Sequence, residues 1–493
     1  MNKVYRSIYN KSLGAWIAVS ELTKGHAKSS AHGASIATLA IVLLAGASGA
    51  QAACPADTGG LFQVSTGETC AAALASYSAA ISSNSILRAG GAGSTVNLTA
   101  SGVTITNTSI GNGWGVTTDA GGTITAAGNL TVATNGFNGR GIYMTGGNIN
   151  VAGNLIANHL VRSQGAGVQV AGGVLDVQGT TTITTAAADG LRNSDSAHFG
   201  SNVVINASNY TQGVLNTGTS SFGSNLAITT TNMNAGINMI SGTLSVARDL
   251  SITANNASTY AGMGVTQTSG ALSVFGNVLI STAKSNGHGI NIAGGSFEAQ
   301  GGGNSISTQG AGADGIHATG GVVALGTTAA GVPLNTTAVL LESGNVTATG
   351  GNGVYILTTS GDLLARVGAA ATVNGGNANG IYAANYGTGT TTINSTGTIT
   401  GGSGAGISTM ENVGTAVAIN LNNGANVSAT SGVAIKDDGG QATLMMASGS
   451  KLAGQVLMGN GNDEMIIKGT ADIGGATLLD GGNGTDSTVT DIL

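Results

Sequence analysis

The chain has 493 residues, of which 85 are glycine and only two proline; 41% are hydrophobic, 7% charged and 3% aromatic. A collagen needs glycine at every third place with abundant proline, and a disordered chain needs low hydrophobicity with high charge, so both are excluded. So much glycine would also cost a helix roughly 1 kcal/mol per interior site. What survives is a turn-dense, β-rich, repetitive protein with small side chains.

The formal charge of −6 is unevenly placed. Residues 1–52 hold five cations (Lys3, Arg6, Lys11, Lys24, Lys28) against Glu21, leaving ten cations and twenty acids for the rest. Such a sparse set of cations makes the remainder a poor ligand for phosphate backbones and excludes nucleic acid as a partner. The run ASIATLAIVLLAGA (Ala34–Ala47) falls short of the ~20 apolar residues that span a bilayer, and Ala50-Gln51-Ala52 ends it as an A-x-A signal. Residues 1–52 therefore read as a secretory signal peptide cleaved between Ala52 and Ala53. Cys54 and Cys70, the only cysteines, are expected to form one disulfide in an oxidising compartment, within an N-terminal cap over 53–90.

The basic stretch Met1–Ser30, MNKVYRSIYNKSLGAWIAVSELTKGHAKSS, closely resembles the extended signal peptide region of Gram-negative type V secretion proteins. The resemblance implies export by the Sec route, handling by the outer-membrane assembly machinery, and arrival at the cell surface or outside the cell.

From there on the chain repeats. GIYMTGGNINV from Gly141 matches GINMISGTLSV from Gly236, GVTQTSGALSV from Gly264, GINIAGGSFEA from Gly289 and GIHATGGVVAL from Gly315. GLRNSDSAHFGSNVVIN and GVLNTGTSSFGSNLAIT, from Gly190 and Gly213, are close copies. Anchor glycines fall at 115, 141, 167, 190, 213, 236, 264, 289, 315, 353, 380, 406 and 432, so the repeat is 23–28 residues apart from one 38-residue step that contains Pro333. Each unit holds two or three short alternating segments separated by turn residues. One unit cannot bury its apolar side alone, whereas stacked units build parallel sheets around a continuous core. The predicted fold is all-β: a right-handed parallel β-helix, a pectin-lyase-like solenoid of about 13–15 turns over residues 91–458. Val, Ile and Leu are expected inside, Thr, Ser and Asn outside, and the anchor glycines at tight corners with φ > 0. There are no coiled-coil heptads and no NPNG-type motif, so this part resembles the passenger of a classical, monomeric autotransporter.

Residues 459–493 close the chain with two acidic glycine motifs, Gly459–Asp463 and Gly481–Asp486, 23 residues apart when aligned on Gly459 and Gly482. They read as one corner of successive turns. Asp463 and Asp486 are weak calcium candidates, because calcium β-rolls need tandem nonapeptides. The resemblance places an autochaperone segment and a translocator barrel beyond this point, and the sequence is expected to lack both, since a barrel needs many amphipathic strands of about 9–11 residues.

No catalytic residue or cofactor is expected. The histidines His159, His198, His288 and His317 read as surface or turn residues. His288 and His317 stand at different offsets from their glycines and are not expected to stack as a ligand pair. The acids between 100 and 430 read as isolated, with Asp189 and Asp314 forming turns. No serine-nucleophile segment occurs, and glycine-rich matches to nucleotide motifs are expected by chance at this composition. The leading expectation is a non-enzymatic surface adhesin acting through Thr/Ser/Asn ladders on a host surface glycan or protein, or on a copy of itself on neighbouring cells, in attachment, self-association or biofilm. The alternatives are a structural stalk and a carbohydrate-active β-helix enzyme.

Overall fold

A computed structural model describes residues 5–10, 15–20 and 62–491, apart from 74, 161–164, 210–211, 233, 256–261 and 413–414. The chain divides into two units, 1–50 and 51–493. In the first, Tyr5–Asn10 pairs antiparallel with Ala15–Ser20.

The second unit is a parallel β-solenoid of about 16 turns, with no helix among the described residues. Each turn contributes a strand to each of three faces. In one turn Ala235–Met239 lies on the first face, Thr243–Val246 on the second and Leu250–Asn255 on the third. The next turn repeats them with Met263–Gln267, Ala271–Val274 and Val278–Thr282. The registers place Ile237 on Val265, Leu244 on Leu272 and Ile252 on Ile280. Period-two alternation sends these aliphatics inward, where they form one continuous buried column. Phe199 and Phe222, on successive second-face strands, stack inside it with centroids 5.2 Å apart and planes 8° from parallel. Phe222→Ala leaves a ring-sized hole in a core that cannot collapse sideways. It should cost about 3–5 kcal/mol and be seen as faster amide exchange in the strands that flank Phe222.

Three details differ from expectation. The repeat starts earlier: Phe62–Val64 already pairs in parallel with Ser85–Ala89, and that strand pairs with Trp114–Thr118. Within the segment read as a cap, the described residues from Phe62 on already pair as solenoid strands. These turns escape a glycine search because Ile86 stands opposite Gly115 and, near the other end, Ala434 rather than Gly432 stands opposite Gly406.

Second, the anchor glycines from Gly115 to Gly406 are not left-handed corners; Gly432, which stands outside their ladder, is the one predicted anchor with a left-handed φ, 83°. A Cβ on Gly236 would fall under 3 Å from Ile252 Cγ2 and from the carbonyl oxygen of Gly264, and its neighbours in the ladder meet the same two obstacles. They are glycines because the first and third faces close on each other there. A separate ladder of left-handed glycines lies between the first and second faces, at Gly242 and Gly270 for example (φ 75° and 81°).

Third, the 38-residue step holds an additional strand. Thr336–Leu341 pairs in parallel with Val322–Leu325 on the second face before the chain goes on to the third. The connection 326–335 returns over the outside of that face. Val332 there packs on a small apolar cluster of outward-facing residues, Ala324, Ala338 and Leu340.

Candidate functional site

The outward residues of the second and third faces are mainly hydroxyls and amides, as expected: Thr219, Ser221, Thr243, Ser245 and Ser273 on the second, Thr229, Thr253, Ser281 and Ser307 on the third. A cluster of titratable and aromatic side chains stands on the first face, where the chain enters it.

Two adjacent columns make this site. One consists of the residues just before the anchor glycines: His288, Asp314, Asn352 and Asn379. In it each side chain caps the backbone of the turn stacked on it. His288 Nδ1 accepts the Asp314 N–H at 3.0 Å, Asp314 Oδ1 accepts the Asn352 N–H at 2.8 Å, Asn352 Oδ1 accepts the Asn379 N–H at 3.0 Å, and Asn379 Oδ1 accepts the Ala405 N–H at 2.7 Å. The other column, two residues after the glycines, runs Asn291, His317, Tyr355 and Tyr382 in strict register. The His317 and Tyr355 rings are 4.3 Å apart and parallel to within 1°, and Tyr382 follows at 5.3 Å. The hydroxyls of Tyr382 and Tyr386 both reach Met410 Sδ, at 3.2 and 3.3 Å.

The columns meet at Asp314. Its Oδ2 lies 2.8 Å from His317 Nδ1 and 3.5 Å from His288 Nδ1, and the two imidazole rings are 4.4 Å apart. The expectation that His288 and His317 stay apart is therefore corrected. Burial, with the neighbouring His317 adding to it, pushes the His288 imidazole down to about 4, in keeping with the N–H bond that Nδ1 accepts. Burial, then Tyr386, pushes the Tyr382 phenol up to about 12.

The other histidines and acids divide. His159 is not a surface residue: it is fully buried, its Nδ1 sits 2.9 Å from Thr134 Oγ1, and burial lowers it to about 4. His198 pairs with Asp176 at 2.8 Å. Asp189 does the turn work expected of it, accepting the Gln212 N–H and pairing with Arg192. Glu411 is not isolated, because it is buried beside Asp437 from the following turn; burial foremost, then Asp437, raises its carboxyl, while Asp437 is raised by its own burial and lowered by its contact with Glu411.

Of the residues singled out at the ends, Ala50, Ala52, Ala53 and Cys54 lie outside the described residues. Cys70 is buried on the second-face strand Thr69–Ala72. Asp463 and Asp486 are brought together one turn apart, in a capping arrangement that runs opposite to the His288 column, each side chain capping the turn before it. Asp486 Oδ1 accepts the Asp463 N–H at 3.1 Å, and Asp463 Oδ1 accepts the Ala442 N–H at 2.8 Å.

Comparison with known proteins agrees with the N-terminal reading. The family described as the extended signal peptide of the type V secretion system matches residues 1–50. The autotransporter adhesin NhhA of Neisseria meningitidis serogroup B is 49% identical over 45 residues, which are 9% of this chain and 8% of that relative. The chain thus aligns with less than a tenth of the relative's length. No solved structure matches. The matched signal supports export to the cell surface or outer membrane. A type V secretion signal followed by a three-faced parallel β-solenoid is the organisation of an autotransporter passenger, and this chain fits it.

Proposed function

We propose that the chain is the exported passenger of an autotransporter and works as a non-enzymatic adhesin. The observation that carries this reading is the pair of solvent-facing hydroxyl and amide ladders on the second and third faces. They offer weak hydrogen-bonding groups on successive turns, about 4.8 Å apart, as in the run Thr229, Thr253, Ser281 and Ser307 on the third face. A single such contact is weak, but many of them on densely displayed rods act together. The similarity of the N-terminal segment to a protein named as an adhesin supports the same reading. The contact is with a host surface glycan or protein, or with a copy of the chain on a neighbouring cell. The disulfide between Cys54 and Cys70 and cleavage between Ala52 and Ala53 belong to the same proposal.

The test is to fuse the chain to a translocator barrel, display it on cells that otherwise lack adhesins, and score both settling and attachment to host cells. A displayed passenger should speed settling or raise attachment several-fold over the barrel alone. Normal surface display with neither gain would overturn adhesion and favour a stalk.

A further inference from the structure

We propose that His288, Asp314 and His317 form a binding site for a divalent transition-metal ion of the zinc class. Each offers one ligand atom, and these atoms all lie within 4.8 Å of one another. Two ligands on a tetrahedral zinc at ~2.0–2.1 Å stand roughly 3.3 Å apart. The 2.8 Å and 3.5 Å separations of Asp314 Oδ2 from His317 Nδ1 and His288 Nδ1 bracket that value. Two imidazoles and one carboxylate are the donors of zinc, copper or nickel sites, whereas calcium and magnesium take oxygen alone.

The surroundings orient the ligands as metal sites do. Asp314 Oδ1 is held by the Asn352 backbone N–H at 2.8 Å and its side-chain amide at 2.9 Å, which turns Oδ2 toward both imidazoles. The parallel Tyr355 ring fixes the plane of His317. Loading replaces the proton between His317 Nδ1 and Asp314 Oδ2, and draws His288 Nδ1 off the Asp314 N–H. That N–H bond is the competitor the ion must displace. Three protein ligands leave the fourth position for water or for a group on a partner surface. His288 lies in one turn and Asp314 and His317 in the next, and the Asn352 that orients Asp314 follows the irregular step, so the ion ties this stretch of the solenoid together.

The column itself supplies clean variants. Asparagine does the capping at positions 352 and 379, so His288→Asn and Asp314→Asn keep the backbone caps while removing metal ligands. The test uses the purified full chain, with a tag that contains no histidine. Zinc is titrated by calorimetry and cobalt by visible absorption. One ion should bind per chain, cobalt should give the intense visible bands of a four-coordinate site, and zinc should raise the melting temperature. His288→Asn, Asp314→Asn and His317→Gln should each weaken binding tenfold or more and abolish the melting shift. His198→Gln, which alters a histidine–aspartate pair without a third ligand, should change neither. Circular dichroism in chelator shows that each variant is folded. Should one of the capping variants fail to fold, His317→Gln decides, because its column accepts residues as different as Thr266 and Asn291 on preceding turns. Absence of saturable binding, or binding unchanged in the folded variants, overturns the site.

Discussion

Replacing Gly236 by alanine is expected to loosen the solenoid locally by about 1–3 kcal/mol, the cost of forcing one methyl into a packed interior. The methyl would meet Ile252 Cγ2 from the third face and the Gly264 carbonyl from the next turn, both closer than 3 Å. Neither can retreat. Ile252 is buried between Ile228 and Ile280, and the Gly264 carbonyl belongs to the backbone of the first-face ladder. Because each turn contacts chiefly its neighbours, the damage stays near the substitution. The measurement is amide exchange in the first-face strands Ala235–Met239 and Met263–Gln267, which should speed up by roughly five- to hundredfold. Gly102→Ala is the control, since a Cβ there meets nothing within 4 Å and its φ is not left-handed; it should change little. Equal effects of the two substitutions would mean that close approach of the faces is not what selects glycine at the anchor.

This contrast shows what the sequence could and could not reveal about the fold. The glycine period was visible because close approach tolerates only hydrogen at that point, turn after turn. Its cause was not visible, because a glycine needed for space and a glycine needed for positive φ are the same letter. Gly236 and Gly242 sit six residues apart in one turn and answer to different constraints. Where another residue fits, as with Ile86 and Ala434, the period vanishes from the letters while the strands go on stacking. The additional strand Thr336–Leu341 was hidden for a similar reason: its inward alternation is like that of any other strand, and only the 38-residue step and Pro333 marked the place.

For the site, the useful signal was position relative to the glycines, compared within one column at a time. His288 and Asp314 both directly precede an anchor, 26 residues apart, and so share one column. Comparing His288 with His317 instead sets residues of two columns against each other. The distance between columns depends on how the turn bends onto the first face, which no spacing encodes. The tyrosine column was legible by the same rule, since Tyr355 and Tyr382 each stand two residues past an anchor. Charge scarcity directed attention away from clusters altogether, and so concealed the groups that the fold brings together, Asp314 between two histidines and Glu411 beside Asp437.

Among those buried acids, Glu411 should make the C-terminal turns less stable as pH rises. Glu411 is 7% exposed, with both carboxyl oxygens buried, and Asp437 is 2% exposed. Burial foremost, then the charge of Asp437, lifts Glu411 to about 9, and burial also raises Asp437 despite the hydrogen bond it accepts from Thr409 at 2.6 Å. The other charges facing the pair are Asp438 and Asp463, both acidic, and the nearby Lys436 is engaged with Asp438 at 2.6 Å. The unfolded chain releases the Glu411 proton near 4.5, whereas the folded chain keeps it until about 9. Between those values the folded state holds the extra proton, so stability is full below about 4.5 and is lost progressively as pH climbs toward 9. The loss approaches a factor of ten in the local folding constant per pH unit for one retained proton. Glu411→Gln keeps the shape of the protonated acid and has no proton to release. Its advantage over the native residue should be small at pH 5 and grow steadily to pH 8.5. Amide exchange in Ile407–Glu411 and Asn426–Asp437, corrected for the intrinsic pH dependence of exchange, reads this directly. A gap between the two proteins that stays constant from pH 5 to pH 8.5 would show that Glu411 ionises freely in the folded chain.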